Sequence, residues 1–152
     1  MKLINKKLCV LACAFFFATS AWAETHEIKG AGVKFKPMFV YAQPGDVIAF
    51  RNMATHFVNS LDGLTPEGIT PMKSDIGKDY DYKVEKEGVY MFKCPPHWGV
   101  RMGGAIVVGN PADLDKILAD YSAKAGADKT LKPAVGLLKK LTKDLQGKGK
   151  LK

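Results

Sequence analysis

A change of hydrophobic period at Gly109-Asn110 divides the chain and limits the folds open to it. Before that point, short apolar runs alternate with turn residues. Phe39–Gln43 enters the turn Pro44-Gly45-Asp46, and Val47–Phe50 follows as a core strand. Asp79–Glu85 is a less regular strand around Tyr80, Tyr82 and Val84, and Val89–Cys94 follows Glu87-Gly88. In that last run a period of two puts Tyr90, Phe92 and Cys94 on one face and Lys93 opposite, so the Cys94 face is expected to be the core. Ala105–Val108 is the final strand. Beyond it, Asn110 is suited to cap a helix with Pro111 at its first position, and Leu114, Ile117, Leu118 and Tyr121 follow at helical spacing. After a break near Gly126, Ala134, Leu138, Leu141 and Leu145 repeat that spacing. The pattern predicts a mainly β chain, an antiparallel β-sandwich over residues 24–109, with a two-helix extension over 110–146 and a flexible basic tail over 147–152.

The N-terminus is read as a leader. Lys2, Lys6 and Lys7 precede an apolar run from Leu8 to Phe17, and Ala21-Trp22-Ala23 closes it, the pattern of a signal peptide (residues 1–23) cut after Ala23. A retained anchor is disfavoured, because the run is shorter than the roughly 20 residues a spanning helix needs. Lipid attachment at Cys13 is disfavoured because apolar residues continue beyond it. Cleavage removes Cys9 and Cys13 and leaves Cys94 as the one cysteine, so a disulfide is excluded and a lone exported thiol calls for burial or coordination. The net charge of +8 is concentrated at the ends. Residues 24–138 hold 14 basic and 14 acidic side chains, while residues 139–152 hold six Lys and one Asp. A body without net basicity argues against nucleic acid as a partner, and no later segment could span a membrane.

The chemistry sits in Cys94-Pro95-Pro96-His97-Trp98-Gly99-Val100-Arg101-Met102, a C-x2-H-x4-M loop. It offers a thiolate, an imidazole and a thioether at the end of a buried strand. A second imidazole is available at His56. Two imidazoles and a thiolate in a plane with a weak axial thioether are the donor set of a type 1 (blue) copper site. Each residue alone has an ordinary structural role, and only the set is specific. A nucleophilic Cys94–His97 pair would lack a third orienting residue and leave Met102 idle, and zinc would make poor use of a thioether. The terminus left by cleavage, Glu24-Thr25-His26, could offer a second, square-planar Cu(II) site unless His26 is tied into the first strand.

These residues resemble the cupredoxins and, among them, the pseudoazurins. The resemblance runs through Val33–Pro37, Pro44-Gly45-Asp46, Phe50, His56, Gly88-Val89-Tyr90, the Cys94 loop and the two helices after Asn110-Pro111. It implies a Greek-key, cupredoxin-like β-sandwich that binds one copper ion through His56, Cys94, His97 and Met102. It implies an electron carrier without substrate turnover, with no catalytic residue and no cofactor beyond the metal. A periplasmic monomer is expected to cycle Cu(I)/Cu(II) and donate to a respiratory reductase such as nitrite reductase, with c-type cytochromes as sources. A periplasmic protein that delivers or sequesters copper is the alternative. Two departures stand out. Phe57 occupies the place where the family usually has an Asn that ties the ligand loops together, and Pro96 has no N–H to donate toward the sulfur. Arg101 stands beside Met102 where a small residue is usual, and its charge would favour Cu(I). Trp98, with Pro37, Met38 and Pro96, is expected to form an apolar collar around His97, ringed by Lys36, Lys73, Lys93 and Arg101 facing an acidic partner.

Overall fold

Strand breaks follow the turn residues. The strands are β1 (Thr25–Ala31), β2 (Lys34–Lys36), β3 (Phe39–Ala42), β4 (Val47–Arg51), β5 (Asn59–Ser60), β6 (Tyr80–Lys83), β7 (Gly88–Lys93) and β8 (Gly103–Val108). The structure, a computed structural model, describes residues 22–151; apart from the exposed Trp22 and Ala23, the expected signal peptide lies outside the described residues. One sheet has the order β2-β1-β4-β6 and the other β3-β8-β7-β5. The sandwich is not wholly antiparallel as expected, because β1 pairs parallel with β4 and β3 parallel with β8. The cause is the path of the chain. It leaves the first sheet after β2, runs β3 in the second and returns for β4, and such a crossover delivers parallel strands where a hairpin would not.

Between the sheets lies a core of Ile28, Phe35, Val40, Ile48, Phe50, Tyr90, Phe92, Ile106 and their neighbours, and it includes Cys94 and Met102. A second core lies on the far side of the second sheet. There Val89, Met91, Ala105 and Val107 pack against Leu114, Leu118, Tyr121, Leu137, Leu138, Leu141 and Leu145. The face of β7 that carries Lys93 is therefore not a solvent face, as its alternation with Tyr90 and Phe92 suggested. All of β7 but Lys93 is buried, because the helices cover its outer side.

The helices are α1 (Leu114–Ala127) and α2 (Lys132–Gly147). Their buried positions are those the spacing predicts, except that Ile117 is only partly buried and Ala125 and Leu137 are added. Their ends differ from expectation. The first helix begins after Asp113 rather than at Pro111, and Asn110 does not cap it, since its Oδ1 accepts from Lys150 Nζ at 3.4 Å. The break falls at Asp128–Leu131 rather than at Gly126, where Thr130 N donates to Asp128 Oδ1 at 2.7 Å. The described part of the tail is also not loose. Lys150 N donates to Leu145 O at 2.9 Å, Leu151 is buried in the second core, and Lys148 and Lys150 lie over the Tyr41 ring at 5.3 and 5.6 Å. Tyr41 donates to Asp144, and Tyr121 Oη donates to Val89 O at 3.1 Å, so two hydroxyls bolt the helices to the sheet. Burial, and for Tyr41 also Asp144, raises both phenols above their ordinary value.

Candidate metal centre

The pairing of β7 with β8 determines where the loop ligands fall. Register matches Phe92 with Gly104 and Lys93 with Gly103, so Cys94 and Met102 face each other just past the ladder. Cys94 N donates to Met102 O at 2.8 Å. Between them Pro95–Val100 forms a 3-10 helix, with His97 N donating to Cys94 O and Met102 N to His97 O, both at 3.1 Å. Arg101 closes the turn in the left-handed region at φ 63°. Gly104 permits the close approach of β3, since a Cβ there would lie 2.2 Å from Met38 O.

His56 arrives from a separate loop. Its N donates to Met53 O at 2.9 Å and its carbonyl accepts Gly77 N at 3.0 Å, which pins the residue from both sides. Ser74 Oγ accepts Val58 N and Ser60 Oγ accepts Met72 N, each at 2.8 Å, tying the following segment down. The imidazole rests 6.5 Å from the Phe35 ring. Two residues that sequence reasoning missed make room for it. A Cβ at Gly30 would lie 2.8 Å from His56 Cδ2, and Asn52, in the left-handed region at φ 58°, donates from Nδ2 to Gly30 O at 2.6 Å. The legible signal was a glycine inside the apolar alternation of β1, which marks a close approach.

Three donor atoms converge. His56 Nδ1 and His97 Nδ1 are 3.3 Å apart, and Cys94 Sγ lies 3.7 Å from the first and 3.4 Å from the second. The circle through these three atoms has a radius of about 2.0 Å, the length of an imidazole bond to a first-row metal ion. Two imidazoles and a thiolate at that spacing fit a single ion between them. Met102 is fully buried in the same core, on the loop's closing strand, with its thioether the remaining soft donor. Burial, and then the neighbouring His97, holds the His56 imidazole below its ordinary value and so keeps its lone pair free. Cys94, Met102 and His56 are buried, and His97 alone of the four is partly exposed.

Similar proteins agree with this geometry. Residues 23–109 match the family described as "Copper binding proteins, plastocyanin/azurin family". The chain is 35% identical over 122 residues to the pseudoazurin of Paracoccus pantotrophus, covering 74% of this chain and 84% of that one. The chain belongs to this copper-binding family, among the pseudoazurins. A solved pseudoazurin from Sinorhizobium superposes with a TM-score of 0.61 at 30% identity, over 78% of this chain and 96% of that one. One from Methylobacterium extorquens AM1 gives 0.59 at 30% identity, over 74% and 98%. The copper-binding site is of type 1, with His56, Cys94, His97 and Met102 as its donor set.

The remaining sequence expectations divide. Trp98 is not a free collar residue. Its Nε1 donates to Thr130 O at 2.8 Å in the link between the helices, and its ring packs against the second core, as does Met38. Lys93 joins it, with Nζ 5.8 Å from the ring. Pro37, Pro96, Lys36, Lys73 and Arg101 are exposed and Phe57 is half-buried. The Arg101 guanidinium turns toward the second helix, where Nη1 would be 3.5 Å from a Cβ at Gly136. The second copper site at Glu24-Thr25-His26 is not assembled, since Thr25 and His26 lie in β1 and His26 Nε2 contacts Asp46 Oδ2 at 2.9 Å.

Proposed function

We propose that the chain is a periplasmic one-electron shuttle, reduced by a c-type cytochrome or similar source and donating to a respiratory reductase such as nitrite reductase. The observation that carries this reading is the convergence of two imidazoles and a thiolate in a cradle already built by backbone hydrogen bonds. Copper, when bound, supplies a Cu(I)/Cu(II) couple through these donors. The protein's part is to hold the donors still. Both loops are fixed by main-chain bonds at 2.8–3.1 Å and by core packing, so a change of charge at the centre meets donors with little freedom to move. With four donors from the chain, the set leaves a substrate no evident coordination position, which supports a carrier over an enzyme.

The way out for the electron is His97. It is the least buried of the four donors, and the same short helix presents Pro96 and Val100 to solvent, Val100 at 62% exposure. An apolar surface of this kind suits brief contact with a larger redox protein. Lys36, Lys73, Lys93 and Arg101 are the cations proposed to steer an acidic partner toward it, and the protein is proposed to act as a monomer. Export rests on the leader pattern of residues 1–23.

The test has two arms. The mature protein given one equivalent of Cu(II) is expected to show an intense thiolate-to-copper band with narrow hyperfine splitting, absent in Cys94→Ser. Once reduced, it is expected to pass electrons to a nitrite reductase turning over nitrite while retaining its copper. A protein that surrenders copper to an apo-acceptor and exchanges electrons slowly would instead be a delivery protein.

A further inference from the structure

One buried charge in the molecule has no part in the copper centre. Asp46 is 4% exposed, at the end of the Pro44-Gly45 turn and remote in sequence from every metal donor. Its Oδ2 accepts Gln43 N at 2.8 Å and contacts His26 Nε2 at 2.9 Å, and its Oδ1 accepts Glu24 N at 2.9 Å. Among the described residues, His26 is the one side chain in contact with the carboxylate. A carboxylate this deeply buried needs partners to stay charged, and a positive donor offsets its burial more strongly than a neutral amide does.

The third of those donors is no ordinary amide. Glu24 follows Ala21-Trp22-Ala23, the small-residue pattern of a leader cut, and Trp22 and Ala23 are exposed just ahead of β1. Hydrolysis of the Ala23–Glu24 bond by an export-associated endopeptidase adds water across the amide, leaving a carboxylate on Ala23 and an ammonium on Glu24. That ammonium is created on the very nitrogen that already sits 2.9 Å from Asp46 Oδ1. Glu24 is held at its other end as well, because its carbonyl accepts Val47 N at 2.8 Å.

We propose that Asp46 is a built-in seat for the processed amino terminus, so that removal of the leader converts a neutral hydrogen bond into an ion pair and locks β1 into its sheet. The seat is specific for a chain that begins at Glu24. One further residue would carry the ammonium a step of about 3.3 Å away along the extended chain, out of reach of the carboxylate. The same contact occupies both ends of the Glu24-Thr25-His26 segment, which accounts for a copper-carrying protein keeping an amine-and-histidine terminus closed to Cu(II).

The inference rests on the export reading in one respect, the cut after Ala23. The test uses the exported, copper-loaded protein beside two variants: one with a single extra residue ahead of Glu24, confirmed by mass, and Asp46→Asn. Terminal sequencing of the native protein is expected to begin at Glu24. Amide hydrogen exchange over Thr25–Lys29 is expected to be about tenfold slower in the native chain than in either variant, the factor a charge-assisted bond adds over a neutral one, with the visible spectrum the same in all three. A native terminus elsewhere than Glu24, or equal exchange in the native and extended chains, overturns the proposal. Should Asp46→Asn not fold, the extended chain decides alone. A colourless protein that begins at Glu24 and shows the slow exchange would sink the copper-carrier reading and leave the seat standing.

Discussion

The two cores of this molecule share a sheet yet have different duties. The core between the sheets holds Cys94 and Met102 and backs His56 with Phe35, whereas the core beneath the helices holds no copper donor and is filled with leucine. They meet at the Cys94 loop, where His97 faces the donors and the next residue, Trp98, reaches across to Thr130 between the helices. The metal centre is thus one side of a wall whose other side is structural. A lesion in one core should be separable from a lesion in the other, and the seam at Trp98 is where that separation is weakest.

The sharpest break between the two is Cys94→Ser. It is expected to abolish the thiolate-to-copper band entirely while leaving the apo fold, as judged by circular dichroism, because the smaller oxygen fits the same place. The converse is Leu141→Ala in the helical core. Truncating this fully buried side chain should cost about 2–5 kcal/mol in denaturant unfolding. The visible spectrum of the folded fraction should be unchanged; a shifted band would show that the cores are not separable. Gly30→Ala brings steric pressure to the metal side. A Cβ placed 2.8 Å from His56 Cδ2 should cost about 1–3 kcal/mol and perturb the blue spectrum, where an equal loss with an unaltered spectrum would mean that β1 moves and the histidine does not. Trp98→Phe removes one hydrogen bond at the seam and is expected to cost about 1 kcal/mol with little change in colour.

The smallest effect is one of pH. Burial pushes the Asp46 carboxyl up, but hydrogen bonds from the Gln43 and Glu24 amides and from His26 outweigh it and hold it below its ordinary value. Its contribution is fully present above the unfolded value of about 3.9 and is lost as pH falls toward the lower folded value. The thermal midpoint of the native protein should therefore drop in acid more steeply than that of Asp46→Asn.

Much of this comparison was legible in the sequence, but unevenly. The C-x2-H-x4-M loop and His56 identified the donor set because metal chemistry limits the residue types that can serve. The helix faces were legible because a leucine stripe has few uses other than packing. The outer face of β7 was hard to read because Lys93 alone gives the run the look of alternation, although the unbroken Val89–Phe92 run is what a strand buried on both faces looks like. The tie from Trp98 to Thr130 was not legible because nothing near Trp98 announces a partner 32 residues away. Asp46 read as a turn residue, and its burial depends on Glu24 and His26, which reach it from the neighbouring strand although they lie 22 and 20 residues earlier in the chain. Polar residues whose partners are distant in the chain are what local pattern leaves out.

The double-sided strand also imposes a parity on the numbering. In β3, β7 and β8 the inter-sheet core takes Val40, Ala42, Tyr90, Phe92, Ile106 and Val108, then Cys94 and Met102 beyond the ladder, all even; the helical core takes Val89, Met91, Ala105 and Val107, all odd. Deleting one residue inside β7 would therefore do more than shorten it. Held in its present ladder, the strand would turn Cys94 toward the leucines and a lysine or phenylalanine toward the copper centre, whereas deleting two would preserve the sense of each side chain. Drift in the length of this strand is thus confined to steps of two, and a single-residue deletion would have to be absorbed as a bulge or abandoned with the metal.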